Sequence, residues 1–245
     1  MAGAPPGGAG DGRPDFDAVI LAGGRGTRLG GADKPGLTVG SSTMAASVAS
    51  AAVAAGAGRV VLVGPPRADL ALICAPLPGG LTVVREEPPG AGPVPALRAG
   101  LTRVRAPWVA LLAADLPFLH GADISSLLAA ATRGTLAGVV MADAEGAPQW
   151  LAGCWQTASL RAALLEYRGS SLRGLLGPLQ PALIGPAAMP SREPPPWLDC
   201  DTPAELAAAR LWRASQARDP EPSQARDPDL ARPVSQTWRQ TSDDA

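Results

Sequence analysis

Asparagine is absent from this 245-residue sequence, and lysine and histidine occur once each, at Lys34 and His120. With 21 basic residues in all, one lysine leaves 21 − 1 = 20 arginines. A single histidine excludes a multi-histidine metal site, and a histidine-based triad would rest on one loop residue. The three cysteines, Cys74, Cys154 and Cys200, are odd in number and widely spaced, with no C-x-x-C pair. That excludes a disulfide framework or a zinc knuckle and is the pattern of reduced thiols in a cytoplasmic protein. Aromatic residues are few, and no apolar run approaches the length that crosses a membrane. The N-terminal "MAGAPPGGAGDGRPD" has no apolar h-region and does not read as a secretory signal. A formal net charge of −1 removes the footprint of a general polyanion binder, while leaving room for a local basic pocket.

Gly, Pro, Ala and Arg fill the space that these residues leave. Residues 1–14 are Gly/Pro/Ala-rich and read as a disordered extension. SQARDP occurs at Ser215 and again at Ser223, so the stretch 214–245 reads as a low-complexity tail. One domain is expected over 15–213, long enough to bury a core without staples. Within it, "DAVILA" (17–22), "RVVLVG" (59–64), "LTVVRE" (81–86), "WVALLAAD" (108–115) and "AGVVMAD" (137–143) read as buried strands. Helical stretches separate them at 43–55, 67–75, 94–104 and 122–133. The alternation predicts an α/β fold, a mostly parallel sheet with helices on both faces. Beyond Met141, a strand at 148–155 and helices near 157–166 and 170–176 follow. "WLDCDTPAELAAARLW" closes as a strand, a turn and a helix, with Thr202 and Glu205 spaced as a capping box.

Gly23-Gly24-Arg25-Gly26 follows the first strand, at the carboxyl edge where doubly wound sheets bind ligands. Glycines there let main-chain N–H groups turn toward an anion. A Walker A loop fails, because Lys34 is followed by Pro35. A dinucleotide fingerprint fails as well, because Leu29 stands where its third glycine belongs. Asp115 ends a central strand beside the same edge, a place for a ligand-facing carboxylate or for a cap on the turn before Pro117. On the expected last strand, Asp199 and Asp201 alternate and so share a face. The five-residue spacing of Trp150 and Trp155 would put them on opposite faces, which argues against a platform built from both.

"LAGGRGTRLGGADKP" resembles the signature of nucleotidyltransferases with a Rossmann-like catalytic fold. Together with "REEPPGAGPVPALRAGL" (85–101), "AADLPFL" (113–119), "RGSSLRGLL" (168–176) and "DCDTPAEL" (199–206), it is most similar to the molybdenum cofactor guanylyltransferase family. The resemblance implies that Leu21, Ala22 and Gly23 contact the guanine and ribose of GTP. Gly24, Arg25, Gly26 and Arg28 would face the triphosphate, where arginine forks suit phosphate oxygens. It places Lys34 at the α-phosphate, Glu87 near the nucleotide and Asp115 on Mg²⁺, with Asp201 as a second metal carboxylate or as the anchor of the last helix. Catalysis would then rest on Lys34, Arg28 and Asp115. Asp199 and Asp201 stand where the family often has asparagine. Arg168 and Arg173 would meet the acceptor phosphate or serve as solvated surface charges.

Lys34 is singled out by composition too. Where charge alone matters this chain uses arginine, so the surviving lysine marks a position that needs a compact ammonium. The implied activity is transfer of GMP from GTP to the phosphate of molybdenum-bound molybdopterin, giving the guanine dinucleotide cofactor and pyrophosphate. Partners would be these small molecules and the enzymes that make or accept the cofactor; neither nucleic acid nor membrane is expected. Two alternatives stay open: a nucleotidyltransferase for another phosphorylated acceptor, such as a sugar phosphate or isoprenoid precursor, and a non-catalytic GTP-binding regulator.

Overall fold

A computed structural model describes residues 14–23, 33–189 and 193–218. The strands are β1 (Phe16–Leu21), β2 (Thr38–Val39), β3 (Ser42–Thr43), β4 (Val60–Val63), β5 (Leu81–Val84), β6 (Trp108–Ala113), β7 (Gly138–Ala142), β8 (Pro148–Gln156) and β9 (Ala182–Ile184). The helices are α1 (Met44–Ala54), α2 (Ala68–Cys74), α3 (Pro93–Leu101), α4 (Gly121–Ala131), α5 (Thr157–Glu166), α6 (Leu172–Leu176) and α7 (Pro203–Arg218).

Seven strands form one sheet in the order β5-β4-β1-β6-β8-β7-β9. β1 pairs in parallel with β4 and β6, and β4 with β5. β8 runs antiparallel between β6 and β7, and β9 returns parallel to β7. The expected mostly parallel α/β sheet is therefore present, with one reversed strand. Successive residues of β1 point to opposite faces, as the pleat requires. Ala18 and Ile20 join Val60, Leu62, Ala110 and Leu112 under α1, α2 and α4. Val19 and Leu21 join Val61, Val63, Val109 and Leu111 under α3, α5 and α6. Because both faces are covered, the strands are apolar throughout rather than alternating.

Local chemistry sets several boundaries. Thr43 caps α1 by accepting from Ala46 N at 3.1 Å. Pro93 starts α3, where a missing N–H costs nothing. Thr202 and Glu205 form the expected capping box, with Thr202 N donating to Glu205 Oε2 at 2.8 Å and Glu205 N to Thr202 Oγ1 at 3.2 Å. Asp17, buried at the sheet's amino edge, accepts from Arg105 N at 2.7 Å and Ala106 N at 3.1 Å, which fixes the approach to β6.

Three expectations are corrected. Residues 197–201 form no strand: the chain turns at the preceding prolines, Leu198 N donating to Pro195 O at 3.1 Å, so the segment does not run on as an extended strand. α7 continues to Arg218, past the boundary expected at 213. In β8 the register jumps from Val140↔Gly153 to Met141↔Gln149. That bulge breaks the alternation, so Trp150 packs against the same core layer that buries Trp155, and the two do not lie on opposite faces.

Candidate active site

β1 is the switch point of the sheet, with β4 and β5 on one side and β6 on the other. In such sheets the crevice beyond the carboxyl ends of the strands takes the ligand. A cleft of about 1120 Å³ opens there. Leu21, Ala22 and Gly23 form one wall at the end of β1, and Ala113 and Asp115 follow β6. The two strand ends are tied together, Ala114 N donating to Leu21 O at 3.1 Å. An added Cβ at Gly23 would meet Glu86 Oε1 at 3.5 Å, so that position lies against the cleft's acidic side.

Lys34 starts a 3₁₀ turn, Lys34–Gly36, closed by Gly36 N donating to Asp33 O at 2.9 Å and Leu37 N to Lys34 O at 3.0 Å. Pro35 is buried beneath the turn. Asp33 pairs with Arg67, which anchors the turn to the start of α2. The Lys34 ammonium then reaches two carboxylates far away in sequence. It donates to Asp115 Oδ2 at 2.5 Å, across 81 residues, and to Asp201 Oδ1, across 167 residues. The Lys34 side chain is only 12% exposed, whereas that of Asp201 is 40% exposed, so the group is open to ligand on the Asp201 side.

Burial by itself would lower the lysine's proton affinity, but the hydrogen bonds and charges of Asp115 and Asp201 outweigh it and hold the pKa above the ordinary value. Asp199 lines the cleft nearby. Burial pushes its carboxyl up, and the charges of Asp201 and Asp115 add to the effect, while Lys34 partly offsets it. Three carboxylates around one ammonium leave a surplus of negative charge, an arrangement that suits a hard divalent cation. Among the described residues, no three His, Cys, Asp or Glu side chains converge into a ready-made metal cage. Magnesium does not demand one, since it takes one or two carboxylates together with phosphate oxygens and water.

Leu21, Ala22, Gly23 and Asp115 thus line one cleft, and Lys34 and Asp201, which do not line it, join that group through the bonds of Lys34 to Asp115 and Asp201. Gly24, Arg25, Gly26 and Arg28 lie outside the described residues. Glu87 is exposed and does not line the cleft; Glu86 does, buried and accepting from Gly90 N at 2.9 Å. The sequence held a signal for this choice, because Glu86 continues the parity of Val84, which packs on the α3 face. Arg173 lines the far end of the cleft beside Ser170, Ser171, Gln149 and Trp150. Arg168 instead folds back onto main-chain carbonyls, donating to Leu165 O at 2.6 Å. Trp150 entered the cleft unforeseen because the bulge that aims it has no signature in composition.

The model of a family described as MobA-like NTP transferase domain matches residues 18–184, more than half of the chain. The protein belongs to this family. The matched span runs from β1 to β9 and includes the glycine loop, Lys34 and Asp115. Significant matches among curated proteins are absent. Solved structures with a similar fold include the 2-C-methyl-D-erythritol 4-phosphate cytidylyltransferase of Thermus thermophilus, at 19% identity and a TM-score of 0.56, over 82% of this chain and 99% of that one. The molybdopterin-guanine dinucleotide biosynthesis protein A of Archaeoglobus fulgidus is 14% identical at a TM-score of 0.57, over 81% and 99% of the two chains. The UDP-glucose pyrophosphorylase of Acinetobacter baumanii is 15% identical at 0.62, over 84% and 95%. At such identities the likeness concerns the fold alone. Among the described residues, no helix is long and apolar enough to cross a membrane.

Proposed function

We propose that this MobA-like protein transfers GMP from GTP to the phosphate of molybdenum-bound molybdopterin, forming the guanine dinucleotide cofactor and releasing pyrophosphate. The observation that carries the reading is the junction of Lys34 with Asp201 and with Asp115, which lines the cleft walled by Leu21–Gly23. The ordered motifs, from "LAGG" through "GGADKP" to "DCDTPAEL", support the choice of guanine and of molybdopterin.

In this reading the main chain of Leu21–Gly23 takes the guanosine, and Gly24, Arg25, Gly26 and Arg28 neutralise the triphosphate. Lys34 faces the α-phosphorus as charge builds there, from a mount that is fixed before substrate arrives. An oxygen of the acceptor phosphate attacks that phosphorus, and the bond to the β-phosphate oxygen breaks, so pyrophosphate leaves. A phosphate monoester is already ionised near neutral pH and needs no general base, in keeping with a His120 that is exposed and does not line the cleft. Asp115 and Asp201 would hold Mg²⁺, which screens phosphate charge when bound. Trp150, Gln149, Ser171 and Arg173 would meet the acceptor at the opposite end.

The test is pyrophosphate release from GTP or CTP, each with molybdenum-bound molybdopterin, a sugar phosphate or methylerythritol phosphate. Release from GTP that depends on molybdopterin and magnesium is expected. Turnover with a sugar phosphate alone would overturn the acceptor and leave nucleotidyl transfer standing. GTP binding without turnover on any acceptor would favour a regulator.

A further inference from the structure

Lys34, Asp115 and Asp201 sit on three segments distant in sequence, and α7 touches all three. A small apolar cluster, distinct from the two layers that cover the sheet, contains Val39, Met44, Phe118, Cys200, Leu206 and Ala209. Leu37, Leu198 and Trp212 pack against it. Leu37 lies three residues beyond Lys34, Phe118 three beyond Asp115, and Cys200 directly before Asp201. Leu206, Ala209 and Trp212 belong to α7.

Polar bonds reinforce the apolar ones. Arg210 Nε donates to Thr38 O at 2.8 Å, and Arg213 Nη2 donates to Pro117 O at 2.7 Å. These arginines are three apart and therefore share a face of α7. The Arg213 guanidinium also lies 5.2 Å from the Phe118 ring centroid and 5.7 Å from that of Trp212. The two rings meet edge to face at 5.2 Å. Burial takes Arg213 partly out of water and lowers its proton affinity. A stacked, partly desolvated guanidinium holds its partners more firmly than an exposed one.

We infer that α7 is a working part of the active site: Arg213, seconded by Arg210 and the Phe118–Trp212 pair, positions Asp115 and Lys34 against Asp201. Arg213 grips the main chain two residues beyond Asp115, and Arg210 grips it four residues beyond Lys34. Both act through carbonyls, so they are positioning residues rather than catalytic ones. α7 lies beyond the 18–184 span of the family match, which therefore assigns it nothing. The inference rests on the nucleotidyl-transfer reading, since it concerns the geometry of that cluster.

Arg213→Met tests it, because the methionine keeps an apolar stem beside Phe118 while removing the donor. The folded variant should lose about tenfold or more in kcat, with nucleotide KM changed less than about twofold, as expected when a reacting group is misplaced and binding is not. Arg213→Lys should recover part of the loss, since an ammonium can still donate to Pro117 O. Amide hydrogen exchange at 116–121 should quicken in Arg213→Met and stay unchanged in the surface control Leu211→Ala. If kcat stays within about twofold of wild type, or if the whole loss falls in KM, the inference is overturned. Should Arg213→Met not fold, Arg213→Leu, which also removes the donor, carries the same criteria. Wild-type protein inactive on every acceptor would defeat the functional reading instead. Exchange at 116–121 would then decide the clamp, quickening for it and no change against it.

Discussion

The two halves of the cleft are built by different means. On one side, β5-β4-β1-β6 is a parallel array whose strand ends are bonded to one another, and Lys34 and Asp115 sit on short segments just beyond it. On the other side, β8-β7-β9 contains the reversed strand, the bulge and the proline-rich approach to Asp199. The first half offers a fixed charge arrangement, and the second offers a surface shaped by irregularity.

The sharpest way to break this comparison is Lys34→Arg. The guanidinium is larger and planar and cannot take the ammonium's place between Asp115 and Asp201. A loss of at least about a hundredfold in kcat is expected, the scale of removing one preorganised charge contact. Steady-state pyrophosphate release measures it, and near-normal turnover would mean that the lysine serves only as a positive charge.

Legibility divides along the same line. The strands of the first half are apolar runs with Val and Ile between Gly or Pro, and their bounds could be read within two residues. Asp115 stood out because it ends such a run, and Lys34 because it is the one lysine of the chain and closes the glycine-rich motif. In the second half β9 has only three residues, and outside the main sheet the β2–β3 hairpin has two per strand, too few for a period to show. The strand expected at Asp199–Asp201 failed on three prolines, a local signal outweighed by the alternating aspartates. The bulge in β8 brings Trp150 to the core layer that holds Trp155, against the opposite faces that their spacing implied, and it shows in the pairing with β7 rather than in the spacing. Glu86 and Glu87 differ by one residue of parity, the smallest step that moves a side chain to the other face, and it is Glu86 that lines the cleft.

Gly138→Ala probes the packing of the second half. A Cβ there would lie 2.3 Å from Trp155 Cε3, against a ring that is fully buried. Destabilisation of about 1–3 kcal/mol is expected from overpacking. Thermal or denaturant unfolding checks it; an unchanged midpoint would show that the sheet yields there, and that this half is softer than its burial suggests.

Trp150→Ala gives the smallest effect and the finest distinction. Removing the ring should raise acceptor KM by about three- to tenfold, in line with about 0.5–1.5 kcal/mol for an aromatic contact, and leave nucleotide KM unaltered. Equal increases in both would erase the division of labour between the halves.

The bond from Lys34 to Asp201 closes a loop of 167 residues, twice the span closed by Lys34 and Asp115. Closing loops of such length is costly and slow, and the reward comes only after both ends are mounted on finished structure. Enzymatic competence should therefore be the last property the chain acquires. On refolding from denaturant, circular dichroism should recover before pyrophosphate release does. Simultaneous recovery would show that α7 docks as early as the sheet forms.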